Sequence, residues 1–121
     1  MRARIIGVLL ALSAMFGLAA CSDDADSGGA VSESAIIIDV RDQSEWDAGH
    51  LDGAELVPWN TGEFASQVTT MDPDAEYLIY CRSGNRAGQA QALMEDNGFT
   101  NVTNLGSLEE AADETGIEIV K

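Results

Sequence analysis

Apolar positions along the chain fall into short runs separated by polar, helix-compatible stretches. Ala35–Val40 is an Ile-rich run of the kind that forms a strand buried on both faces. Ser44–Ala48 reads as a short helix, Ala54–Val57 as a strand, Gly62–Val68 as a second helix and Glu76–Tyr80 as a further strand. Arg86–Asp96 places Ala90, Leu93 and Met94 on one face at helical spacing, and Asn97-Gly98 supplies its stop. Asn101–Leu105 reads as a strand, Leu108–Glu114 as a last helix and Ile117–Val120 as an edge strand. This alternation predicts an α/β domain with a mainly parallel central sheet flanked by helices on both faces. In such sheets ligands gather at the carboxyl ends of strands.

The first twenty residues follow a different pattern. Arg2 and Arg4 precede the mostly apolar run Ile5–Gly17, and Leu18-Ala19-Ala20-Cys21 resembles a bacterial lipobox. The apolar run is short for a membrane span, which needs about 20 residues. The expectation is a lipoprotein signal peptide at 1–20, removed to leave Cys21 as an acylated N-terminus and membrane anchor. Residues 21–34, polar, acidic and Gly-containing, read as a flexible tether. The folded domain then covers 35–121, exported and held on the extracytoplasmic side of a bacterial membrane.

Charge sharpens the picture. All 21 acidic residues lie after Ala20, and loss of Arg2 and Arg4 leaves four cations against them, a net −17. Nucleic acid is excluded as a natural partner. Those four cations are Arg41, Arg82, Arg86 and Lys121, and two of them sit in the loop Cys81-Arg82-Ser83-Gly84-Asn85-Arg86. A strand ending at Tyr80 and a helix starting near Asn85 aim unpaired N–H groups and the positive end of a helix dipole at the sulfur. That environment lowers a cysteine's pKa to roughly 3.5–7.5, so a largely ionised, nucleophilic Cys81 is expected. With Cys21 acylated, Cys81 is the one thiol left. No internal disulfide forms, no Cys-x-x-Cys redox pair exists, and one thiol with one histidine builds no zinc site.

Several motifs now combine. Ile38-Asp39-Val40-Arg41, Glu45-Trp46, Gly49-His50-Leu51-Asp52-Gly53-Ala54 and Pro58 resemble the N-terminal signature of the rhodanese family, and Cys81–Arg86 is similar to its active-site loop. Asn101-Val102 and Asn104-Leu105 resemble the strand before its last helix. The likeness implies a sulfurtransferase without cofactor or metal. Cys81 is the nucleophile that takes a sulfane sulfur from an anionic donor such as thiosulfate or a persulfide. The resulting Cys81 persulfide yields it to a thiol or cyanide. Backbone amides from Arg82 through Ser83, Gly84 and Asn85 to Arg86 would cradle the anion, with Arg82 and Arg86 attracting the donor. The alternative is a module that carries sulfur or binds a partner without turnover. A monomer is expected.

Loop length separates this from phosphate chemistry. Cysteine phosphatases and some arsenate reductases use a Cys-x5-Arg loop, whereas here Arg86 is the fifth residue after Cys81 and Ala87 the sixth. Tyr80 also stands where a phosphatase often has histidine. Asp39 and Arg41 follow the first strand and point to the rim of the site, Arg41 and Glu45 have ion-pair spacing, and His50 reads as a turn residue. Trp46 and Trp59 read as packing residues, and Ser83 as a hydrogen-bond donor to the persulfide. Many relatives carry Gly-Gly where this chain has Gly106-Ser107, so Ser107 is expected to alter the turn beside the loop.

Overall fold

The computed structural model describes residues 31–121, which form one compact unit. The signal segment, Cys21 and most of the expected tether lie outside the described residues. The last tether residues are part of the domain: Val31 packs against its core, and the Ala35 amide donates to the Ser32 carbonyl at 3.0 Å. The folded unit therefore takes in Val31, ahead of the expected start at Ala35.

The central sheet contains β1 (Ile36–Asp39), β3 (Glu55–Leu56), β4 (Tyr77–Cys81) and β5 (Val102–Ser107), in the spatial order β3-β1-β4-β5 with every pair parallel. Helices α1 (Gln43–Ala48), α2 (Glu63–Gln67), α3 (Asn85–Asp96) and α4 (Leu108–Thr115) connect or follow these strands. A two-residue strand β2 (His50–Leu51) pairs antiparallel with β6 (Ile119–Val120) outside the sheet. The expected C-terminal strand thus exists, but its partner is β2 rather than the sheet edge. No helix among the described residues is long and apolar enough to cross a membrane.

Strand periodicity divides the core in two. Ile38 and Val40 of the first strand region and Tyr77, Ile79 and Cys81 of β4 point to one side, where Phe64 of α2 and Ala87, Ala90 and Met94 of α3 cover them. Their neighbours Ile37, Leu78 and Tyr80 point to the other, against Leu51 of β2, Leu105 of β5 and Leu108 and Ala111 of α4. Continuous apolar runs are what a sheet covered on both faces requires. Cys81 consequently shares a face with α3, the helix that its own loop begins.

Topology then places the site. From β1 the chain goes outward to β3 and returns on the opposite side of β1 to build β4 and β5, so the winding reverses between β1 and β4. Loops leaving the carboxyl ends of two such strands diverge and open a crevice. The segment after β1 carries Arg41 and Glu45; the segment after β4 is the cysteine loop.

Ile79 is fully buried at the centre of the sheet, and Ile119 is the exposed large apolar residue on β6. Ile79→Ala should cost about 2–5 kcal/mol, and Ile119→Ala within about 0.5 kcal/mol. Urea midpoints measure both, and similar losses at the two positions would contradict this description of the core.

Candidate active site

Cys81 ends β4 directly beside Ser107 of β5, and its Sγ accepts two backbone hydrogen bonds, from Gly84 N at 3.0 Å and Ala87 N at 3.4 Å. Both donors belong to the start of α3, where the first N–H groups of a helix lack intrahelical partners. The positive end of the helix dipole adds to them. The amides that reach the sulfur thus include one inside the expected Arg82–Arg86 stretch and one just beyond it. Ala87 was legible only by counting to the third helical residue once the helix start was fixed at Asn85.

The loop's shape has identifiable supports. Gly84 adopts φ +93° as the α3 N-cap, and a Cβ there would approach Gly106 Cα at 3.3 Å. Gly106 has φ +91°, and a Cβ at that position would collide with the Glu110 carboxylate. Two left-handed positions in contact leave room only for glycine at each. Asn104 joins them: its Nδ2 donates to Gly84 O at 2.9 Å and its Oδ1 accepts from Gly106 N at 2.9 Å. In the sequence Asn104 stands only in a strand motif, because nothing in its residue type reveals a bond twenty residues upstream.

Ser107 is a helix cap. Its hydroxyl accepts from Glu110 N at 3.0 Å while its own N–H donates to Glu110 Oε1 at 2.9 Å, a reciprocal capping box for α4. The serine therefore keeps the turn after Gly106 and secures the helix beside it. Ser83 Oγ accepts from Asn85 N at 3.4 Å, at the loop's exposed surface.

The arginines divide by partner. Arg86 forks onto Glu45 of α1, Nη1 to Oε1 at 3.0 Å and Nη2 to Oε2 at 3.2 Å, with Asp42 at 3.9 Å. That bond raises the Arg86 pKa and holds the Glu45 carboxyl below the usual carboxylate range. Arg41 does not pair with Glu45 as its spacing suggested. It lies ahead of α1, which starts at Gln43, so the helical i,i+4 geometry does not apply. Instead Arg41 grips the fully buried Asp39, Nη2 to Oδ2 at 2.7 Å, and donates to Gly49 O at 2.6 Å. Arg82 is exposed on the loop.

Beside the loop lies an open cleft of about 310 Å³ lined by Arg41, Glu45, Ala48, Arg82, Leu108 and Glu109. Cys81 itself is fully buried and does not line it. Arg41 lines this cleft, and Asp39 is fully buried. His50 belongs elsewhere, its ring stacked on Trp46 with centroids 3.5 Å apart and its Nδ1 at 2.9 Å from Trp46 O. It makes no hydrogen bond to Cys81 among the described residues. Tyr80, whose phenol burial pushes well above its ordinary pKa, accepts from Leu51 N and is a structural tie.

The family model of the rhodanese-like domain matches residues 22–114. This chain belongs to that family. As a rhodanese-like domain it is 33% identical over 73 residues to thiosulfate sulfurtransferase GlpE of Pseudomonas fluorescens, covering 60% of this chain and 65% of that protein. It is 32% identical over 77 residues to thiosulfate sulfurtransferase PspE of Escherichia coli, covering 62% and 72%. MoeZ of Mycobacterium tuberculosis is 35% identical over 69 residues, but the match spans 57% of this chain and 18% of MoeZ. Among solved structures, a rhodanese from E. coli determined with anions superposes with a TM-score of 0.63 at 29% identity, over 72% of this chain and 98% of that one. The parallel sheet and surrounding helices are those of this fold.

Removing Asn104's side chain takes away the bond to Gly106 N and leaves Gly84 O with the bond from Gly88 N alone, so Asn104→Ala should cost about 1–3 kcal/mol. Ser107→Gly, which restores a Gly-Gly pair, should cost a few tenths, because glycine is a tolerable N-cap. Denaturation of the two variants checks this. A larger loss at Ser107 would contradict the roles assigned to them.

Proposed function

We propose that this rhodanese-like domain is a sulfurtransferase that moves a sulfane sulfur from thiosulfate or a persulfide, through a Cys81 persulfide, to a thiol or cyanide. The observation that carries this reading is the pair of helix N-terminal amides, Gly84 N and Ala87 N, donating to Cys81 Sγ. Amides aimed at a sulfur favour its anionic forms, first the thiolate and then the persulfide. The names of GlpE and PspE support the same chemistry.

In the first step the thiolate of Cys81 attacks the outer sulfur of thiosulfate. The Sγ–S bond forms as the donor's S–S bond breaks, and sulfite leaves with the bonding pair. In the second, a thiolate or cyanide attacks the outer persulfide sulfur, giving a new persulfide or thiocyanate and returning Cys81 as thiolate. No step changes the overall oxidation level. Cys81 is fully buried, and Arg82 and Ser83 directly after it are exposed. Arg82 draws an anionic donor into a domain whose total charge repels it. Arg86, forked onto Glu45, is engaged as a strut, which further disfavours a phosphatase reading that needs a loop arginine turned to the oxyanion.

We further propose that Cys21 is acylated and that the domain works outside the cytoplasmic membrane. The short basic-then-apolar leader and the small residues before Cys21 support this.

Incubation with thiosulfate should add one sulfur to Cys81 in intact-mass spectra, and cyanide should remove it repeatedly with thiocyanate release. Cys81→Ser should abolish both. Addition without repeated removal would make the protein a carrier, and no addition would overturn the assignment. Expressed in a bacterium, the chain should partition with membranes and Cys21→Ser should release it; equal partitioning of the two would refute the anchor.

A further inference from the structure

The far end of α3 carries the one Asn-Gly step in the chain, Asn97-Gly98, and both residues are exposed. Asparagine loses its amide most readily before glycine, because glycine has no Cβ to hinder attack by its backbone nitrogen on the preceding side chain. Two restraints oppose that reaction here. Gly98, at φ +90°, is the left-handed residue of a Schellman cap: its N–H donates to Glu95 O at 3.1 Å while the Phe99 N–H donates to Met94 O at 3.0 Å. The attacking nitrogen is thus tied to a carbonyl. The side chain under attack is tied too, since Asn97 Nδ2 donates to Leu93 O at 2.8 Å, back along the helix. Asn97 has φ −100° and ψ 16°, which turns the Gly98 nitrogen away from the Asn97 side chain, whereas ring closure needs it swung toward Cβ. Phe99 anchors the cap, being buried with Met94 in the core on the α3 side of the sheet.

We infer that Asn97-Gly98 is a latent self-modification site, held unreactive by the Schellman cap of α3 and converted to aspartate or isoaspartate when that cap opens. The Gly98 amide gives its proton to hydroxide, and its nitrogen attacks Asn97 Cγ. As the new N–Cγ bond forms, the Cγ–Nδ2 bond breaks and Nδ2 leaves as ammonia; water then opens the cyclic imide at either carbonyl. Neither oxidant nor reductant takes part.

Loss of ammonia does not reverse, and the products fit the cap badly. Aspartate has no N–H to give Leu93 O. It also extends Glu95-Asp96 to three successive carboxylates at the negative end of the helix dipole, where no basic residue stands in the last turn. Isoaspartate lengthens the backbone by one atom and shifts Gly98 N and Phe99 N off their carbonyls. The helix so weakened is the one whose first turn meets Cys81.

The purified full-length chain is kept in mildly alkaline buffer, with and without guanidinium chloride above its unfolding midpoint, while peptide mapping follows each asparagine. In denaturant Asn97 should convert ahead of Asn60, Asn85, Asn101 and Asn104. In the folded chain it should convert about ten- to a hundredfold more slowly than in denaturant, the range expected for local opening of a capped helix end. Hydrogen exchange of the Gly98 and Phe99 amides in the folded chain measures that opening directly, and the two retardations should agree within about fivefold. Asn97→Asp should lower the denaturation midpoint. Equal conversion of folded and unfolded chain, rapid conversion while both amides stay protected, or no lead of Asn97 in denaturant would overturn the inference. So would an Asn97→Asp midpoint equal to the native one, by showing that product and parent fit the cap alike.

Discussion

Two N–H groups in the opening of α3 meet one sulfur, and much of the domain is arranged to make that meeting possible. Cys81 must end a strand on the face that α3 covers, which the period of β4 ensures by placing Tyr77, Ile79 and Cys81 together. The helix must start four residues later with its axis directed at the sulfur, which requires Gly84 in a left-handed conformation. Gly84 in turn leans on Gly106, and Asn104 bonds both. The parallel pairing of β4 with β5, with an irregularity in register between Ile79 and Tyr80, sets these pieces side by side.

Charge is handled by partition. A domain rich in carboxylates offers an anionic donor little welcome, and salt screens its long-range repulsion over about 8–10 Å. Local arrangement decides the rest. Two of the arginines near the site are paired with carboxylates and act as struts: Arg41–Asp39 ties the end of β1 to Gly49, and Arg86–Glu45 ties α3 to α1. The buried members of these pairs are tolerable because each charge has a close partner and further hydrogen bonds. Arg82 is left as the exposed cation of the loop.

Much of this was legible in the residues. Apolar runs gave the strands of the sheet because burial on both faces leaves a continuous signal, and the Cys81 loop announced a strand-to-helix junction through Gly84 and the residues around it. The short β2 escaped because two residues carry no periodicity; its partner β6 was anticipated, but at a sheet edge. The Arg41–Glu45 pairing failed because sequence spacing speaks only within a helix, and Arg41 precedes one. Ser107 was expected to disturb the turn and instead caps α4. Its Glu110 partner, three residues on, forms a capping box that the sequence does display. Asn104 owes its role to bonds with Gly84 and Gly106 across the fold, the first of them twenty residues away, which no local pattern records.

The most direct test of the central claim is a crystal structure of the thiosulfate-treated protein. That structure should show one additional atom bonded to Cys81 Sγ, enclosed by amides of the Arg82–Ala87 segment and with α3 still starting at Asn85. An unmodified sulfur after treatment, or loop amides turned away from it, would show that these amides hold no persulfide on Cys81.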